Sequence, residues 1–341
     1  MKLFYIFLIA LSFISHPALS EDVIYQDAEY KASLPKKEKP AAAPKNKTIE
    51  KKTVDYNSTD SEAPNIHPIV RISSGALKES PQVKTDCDYD GTICLYSYAY
   101  PEEIVIEAEN KTPSARTIIM DYTLNNMQAA NNSSRKNIVL RSGERKKIET
   151  LYPLDTTRDY GYNYTYKSYF GIIDATHDDA YEYDLPFELG QKWMLLQGIG
   201  GKFSHSDEEN YYAYDFKMPT GTAVLAARDG IVVKIVGSYT EGGVNTSLKK
   251  KSNYIYVQHS DGTVASYAHI KHKGALANVG DKVQKGQKIA LSGNTGYTTN
   301  PHLHFGVFKV IRGGKFKSID VKIKTKKGIL PRLTAGDFYE K

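Results

Sequence analysis

Apolar and polar positions alternate with a period of two along much of residues 67 to 186. Ile104-Val105-Ile106-Glu107-Ala108, Arg116 to Tyr122, Asn137 to Leu140 and the tyrosine-rich run Tyr162 to Phe170 share this texture. Alternation sends successive side chains to opposite faces, so each run reads as a strand with one buried face. Helical periodicity is weak, and the length suits a small antiparallel sandwich, with the immunoglobulin-like arrangement as one form of it. Its tyrosines either fill cross-strand pairs or stack on sugars. From about residue 187 onward the chain stays strand-rich, with glycine punctuation and little room for helices. The fold class expected for the whole is all-β.

One stretch departs from plain core alternation. In Pro301-His302-Leu303-His304 the two histidines share a strand face while Leu303 and Phe305 take the other. Paired imidazoles after the turn-rich Ser292 to Tyr297 favour metal binding or catalysis over packing. Further donors lie upstream. His205 precedes a polar run, Ser206 to Asn210, and Asp215 sits in the aromatic segment Tyr211 to Phe216. An unpaired buried carboxylate is costly, which favours a paired or metal-bound Asp215 over a strand-end cap. His269 ends the alternating Ser266-Tyr267-Ala268. One Asp and two His would fill three positions of a tetrahedral zinc and leave the fourth for water, the pattern of a catalytic site.

In order along the chain, these residues and the segments between them resemble the lysostaphin-type, or LytM-type, zinc metallopeptidases of bacterial peptidoglycan. The segments are Ser204-His205 with Asp215, Pro219 to Val224 leading to Ala226-Ala227-Arg228-Asp229-Gly230, Tyr267-Ala268-His269, Gly280 to Val283 with Lys285-Gly286-Gln287, Gly293 to Gly296, and Pro301 to Phe305. They span about residues 190 to 315. The resemblance implies an antiparallel β domain with a zinc groove, in which His205, Asp215 and His304 hold one Zn2+ while His269 and His302 flank the bound water. Zinc lowers the pKa of that water to about 7 and polarises the scissile carbonyl. His302 is then the expected general base, and His269 would hydrogen-bond the oxyanion or protonate the leaving amine. Nine residues separate His205 from Asp215, more than the family's usual spacing, and the acidic Asp207, Glu208 and Glu209 in that insertion read as a solvated loop at the groove edge.

The implied activity is a zinc endopeptidase that cuts cross-links or stems of peptidoglycan during wall remodelling. The alternative is a silent wall-binding or amidase-activating relative. The full set of five residues favours activity. His259 reads as structural or as support for a ligand, His272 as solvated, and His67 and His177 carry no assigned role. No Gly-x-Ser-x-Gly elbow or phosphate-binding Gly-Lys-Ser/Thr loop is present in the sequence.

The amino terminus places that chemistry outside the cytoplasm. Lys2, the apolar Leu3 to Ile14 and Ala18-Leu19-Ser20 form the pattern of a cleaved signal peptide over 1–20, too short for a stable membrane span. Residues 21–66 form a Lys-, Pro- and Ala-rich disordered linker, followed by the sandwich-like domain over 67–186 and the metallopeptidase domain over 187–341. The two cysteines, Cys87 and Cys94, have six residues between them and are expected to pair in an oxidising compartment, the periplasm in preference to the extracellular medium. Loss of Lys2 with the leader takes the net charge from +6 to about +5. A basic surface favours anionic wall polymers. Peptidoglycan is the expected partner, together with a cell-wall or divisome protein, and nucleic acid is not.

Overall fold

The structure, a computed structural model, describes residues 65–66, 70–72 and 81–341, all of which fall within one compact unit, Val54–Lys341. The expected leader, His67 and, apart from Asn65–Ile66, the expected linker lie outside the described residues. Those two linker residues pair antiparallel with Thr165–Tyr166. The described chain is all-β: antiparallel pairing dominates, and the one helical element is a single 3-10 turn at Thr246–Leu248. No described helix is long and apolar enough to cross a membrane.

Two five-stranded sheets face each other in the amino-terminal half. One is centred on Ile104–Asn110, the other on Arg116–Asn125 paired with Tyr160–Phe170. Alternation sends Ile93, Leu95, Ile104 and Ile106 from the first sheet, and Ile118, Met120, Tyr162, Tyr164 and Tyr166 from the second, into one core. The three tyrosines are buried to 2% exposure, so they fill the core and offer no ring face to a sugar. Cys87 and Cys94 stand opposite each other in a hairpin and are joined by a disulfide.

The carboxy-terminal half is built on a nine-stranded sheet. At its centre Leu303–Ile311 runs antiparallel between Val264–Ala268 and Tyr214–Phe216, and Tyr254–Gln258 lies beyond Val264–Ala268. Odd-numbered residues of three of these strands, Ile255, Val257, Ala265, Tyr267, Leu303, Phe305 and Val307, enter the core with Tyr214 and Phe216. From the other face of those three strands Tyr254, Tyr256, Ser266, Ala268, His304, Gly306 and Phe308 line a groove. The aromatic segment is strand only over Tyr214–Phe216. Tyr211 and Tyr212 belong to a turn closed by Ala213 N–H on the Asn210 carbonyl.

The two halves meet in a small apolar cluster of Ile119, Tyr169 and Val310, supported by Phe316. Ile172 N–H donates to the Gly262 carbonyl at this junction, where a Cβ on Gly262 would lie 2.6 Å from Ile172 Cβ.

Candidate metal centre

Asp215 and His304 are register partners, and His304 is in turn opposite Ala268, so His269 lies one residue beyond the same row. His205 comes from a loop, where its N–H donates to the Gly201 carbonyl and its ring is fully buried. The atoms His205 Nε2, Asp215 Oδ1 and His304 Nδ1 converge: 3.2 Å from His205 to Asp215, 2.9 Å from His304 to Asp215, and 3.2 Å between the two rings. Metal–ligand bonds of about 2.0–2.1 Å put tetrahedral ligands roughly 3.3 Å apart, so these three donors fit one metal ion.

Backbone carbonyls set the tautomers. A carbonyl only accepts, so each ring nitrogen beside one carries the proton. His205 Nδ1–H donates to Gly198 O at 2.9 Å, His269 Nδ1–H to Thr295 O at 2.7 Å, and His302 Nδ1–H to Asn300 O at 2.7 Å. Each of the three, when neutral, therefore presents a lone pair at Nε2. His302 Nε2 lies 3.9 Å from Asp215 Oδ1, and the His269 and His302 rings are 4.5 Å apart. Ser252 Oγ accepts the His269 N–H, which helps hold His269 at φ +60°.

Burial and charge divide the five residues. Burial opposes ionisation of Asp215, but hydrogen bonds from His205 and His304 outweigh it and hold the carboxyl well below its usual range. Burial likewise opposes charge on His205, and Asp215 reverses the effect, so its pKa is raised. His269 is pushed down to about 3, by burial first and then by His302 and His304. His302 is lowered, again by burial first, although the Asp215 charge works the other way. A neutral pair thus flanks a carboxylate centre.

The groove around these groups has a volume of about 640 Å³. Its floor carries Tyr254, Tyr256, Ser266, Ala268, Gly306 and Phe308. Asp207, Glu209, Lys249 and Lys250 also line it. Phe203 and Tyr297 stack at 5.1 Å between ring centres.

All five histidine and aspartate residues singled out from sequence come together here. Asp207, Glu208 and Glu209 do not join the donor set. Asp207 instead accepts the Glu209 and Asn210 backbone N–H groups, and Glu208 faces Lys317 at 3.9 Å. His259 is buried away from the centre and donates from Nδ1 to Asp229 O at 2.8 Å. His177 is held by Asp179 and Tyr183. His272 is half-buried, with its Nδ1 enclosed, where solvation was expected. Sequence reasoning missed Gln197, Ser252, Thr298 and the carbonyls that fix the rings. Backbone oxygens have no residue signature, though the glycine-rich Gly198 to Gly201 run marked a tight approach next to Gln197.

Residues 209–320 match Peptidase family M23. The chain carries an M23 peptidase domain. The matched segment holds Asp215, His269, His302 and His304, and the fold brings in His205 from four residues before it. An uncharacterized metalloprotease of Buchnera aphidicola is 32% identical over 206 residues, covering 59% of this chain and 49% of that protein. Peptidoglycan DD-endopeptidase ShyA of Vibrio cholerae is 33% identical over 158 residues, covering 46% of this chain and 33% of that protein. The chain thus spans half or less of these relatives' lengths. Among solved structures, lysostaphin from Staphylococcus simulans is 31% identical, covering 34% of this chain and 42% of that one, with a TM-score of 0.26.

Proposed function

We propose that this protein is a zinc-dependent endopeptidase that hydrolyses peptide bonds in bacterial peptidoglycan. The observation that carries this reading is the convergence of His205 Nε2, Asp215 Oδ1 and His304 Nδ1 on the groove floor beside two neutral imidazoles. Two imidazoles and a carboxylate suit zinc. The M23 domain and the relatives named as peptidoglycan DD-endopeptidases support the substrate class.

Zinc would supply Lewis acidity toward the scissile carbonyl and the attacking water. The protein's residues do the rest. His302 Nε2 accepts the water's proton, because its lone pair faces the centre and the nearby Asp215 carboxylate favours the imidazolium that results. His269 starts without a proton on Nε2, so it can donate to an oxyanion or leaving amine only after a proton reaches it. Its surroundings disfavour holding that charge, which would speed its release. Asn300 O and Thr295 O keep both rings aimed while the proton moves.

The leader over 1–20, export to the periplasm, and the division into a 67–186 sandwich and a 187–341 peptidase domain belong to the same proposal. The disulfide between Cys87 and Cys94 supports an oxidising compartment. The test is digestion of purified peptidoglycan with and without a zinc chelator, with mass analysis of the soluble fragments. Chelator-sensitive release of fragments with newly cut peptides supports the reading. Intact sacculi from a zinc-loaded protein would overturn it.

A further inference from the structure

We propose that Gln197 is a positioning residue that holds Asp215 so that a single carboxylate oxygen, Oδ1, faces the metal; this rests on the metal reading of the site. Gln197 Nε2 donates to Asp215 Oδ2 at 3.0 Å and to Ser204 Oγ at 2.8 Å. Its Oε1 accepts the N–H groups of Phe203 at 3.0 Å and Ser204 at 3.4 Å. One amide therefore ties the carboxylate on the Tyr214–Phe216 strand to the loop that carries His205. With Oδ2 engaged, the carboxylate cannot rotate to offer both oxygens, and Oδ1 stays 2.9 to 3.2 Å from the two imidazole donors.

The backbone is shaped for this contact. Leu195 pairs with Phe216 and is fully buried, so strict alternation would send Gln197 into the core as well. A β-bulge between them makes Gln197, in place of Leu196, the partner of Asp215. Gly201 provides the room. A Cβ there would lie 2.1 Å from Gln197 Cγ and 2.5 Å from its Cδ. Glycine at 201 is thus needed for close approach, and an alanine would push the amide off Asp215 without altering its chemistry.

The experiment compares the full chain with Gln197→Met and Gly201→Ala. Zinc affinity is measured by chelator competition, the cobalt(II)-substituted centre by its visible absorption, and the chelated proteins by circular dichroism. Loss of such a supporting hydrogen bond typically weakens metal binding about 10- to 100-fold. Both variants should show this loss and an altered cobalt spectrum while the chelated fold is retained. A merely structural role would disturb the chelated fold and leave the cobalt spectrum of bound metal unchanged. If Gln197→Met fails to fold, Gly201→Ala decides. Parent-like affinity and spectrum in the folded variants would overturn the role of Gln197 alone. Absence of zinc binding by the parent would overturn the metal reading and this inference with it.

Discussion

Asp215 and His304 stand directly opposite each other in an antiparallel ladder, with Oδ1 2.9 Å from Nδ1. Their neighbours Tyr214, Phe216, Leu303 and Phe305 are fully buried on the other face of the same two strands. The packing that anchors the strands therefore also fixes the two donors, and a one-residue slip would move both off the groove floor.

Replacing Asp215 with alanine should abolish tight zinc binding. Zinc in thousandfold excess over its dissociation constant stabilises a protein that binds it only when folded by about 4 kcal/mol. Thermal melts with and without zinc should show a clear upward shift for the parent and none for Asp215→Ala.

His302→Ala should retain zinc and lose turnover by about 100- to 10,000-fold, the range for a positioned general base. Zinc content and single-turnover cleavage, measured on the same preparation, check this. Parallel loss of metal and rate would make His302 a ligand.

Gly242→Ala should damage catalysis from a distance. A Cβ at 242 would meet Asn294 O at 1.7 Å, displacing the loop that provides Thr295 O to His269 and Thr298 Oγ1 to His302. Small misplacements of this kind can cost about 100-fold in rate. Because the three metal donors lie on other segments, zinc affinity from chelator competition should stay close to that of the parent.

His259 predicts an acid-sensitive term unrelated to the metal. It is 3% exposed, its Nε2 has no hydrogen-bond partner, and burial pushes its pKa down to about 4. Above pH 6.5 both folded and unfolded forms are neutral. As pH falls from about 6.5 toward 4 the unfolded chain takes a proton that the fold resists, so stability is lost over that window. His259→Asn, which keeps a donor toward Asp229 O, should reduce the fall between pH 7.5 and 5 by about 2 kcal/mol. Urea unfolding of the chelated proteins at both pH values measures it.

The Pro301-His302-Leu303-His304 stretch and Phe305 were legible because alternation alone assigns each side chain a face. Donor chemistry added His205, Asp215 and His269 to them, and the resemblance to the lysostaphin type then gave each a role. Gln197 was not legible. Two positions from Leu195 it reads as a core residue, and only the bulge turns it toward Asp215. Nor does composition reveal that Thr295 and Asn300 act through their carbonyls. The seam at Ile119, Tyr169 and Val310 was equally hidden, since a residue buried between two halves has the same sequence signature as one buried within either.

The most direct measurement is the zinc X-ray absorption spectrum of the metal-loaded chain, with metal content determined on the same sample. One zinc per chain, bound by two imidazoles and a single carboxylate oxygen at about 2.0–2.2 Å, is the expected result. A chain that takes up no zinc, or a spectrum lacking imidazole ligands, would contradict the centre built from His205, Asp215 and His304.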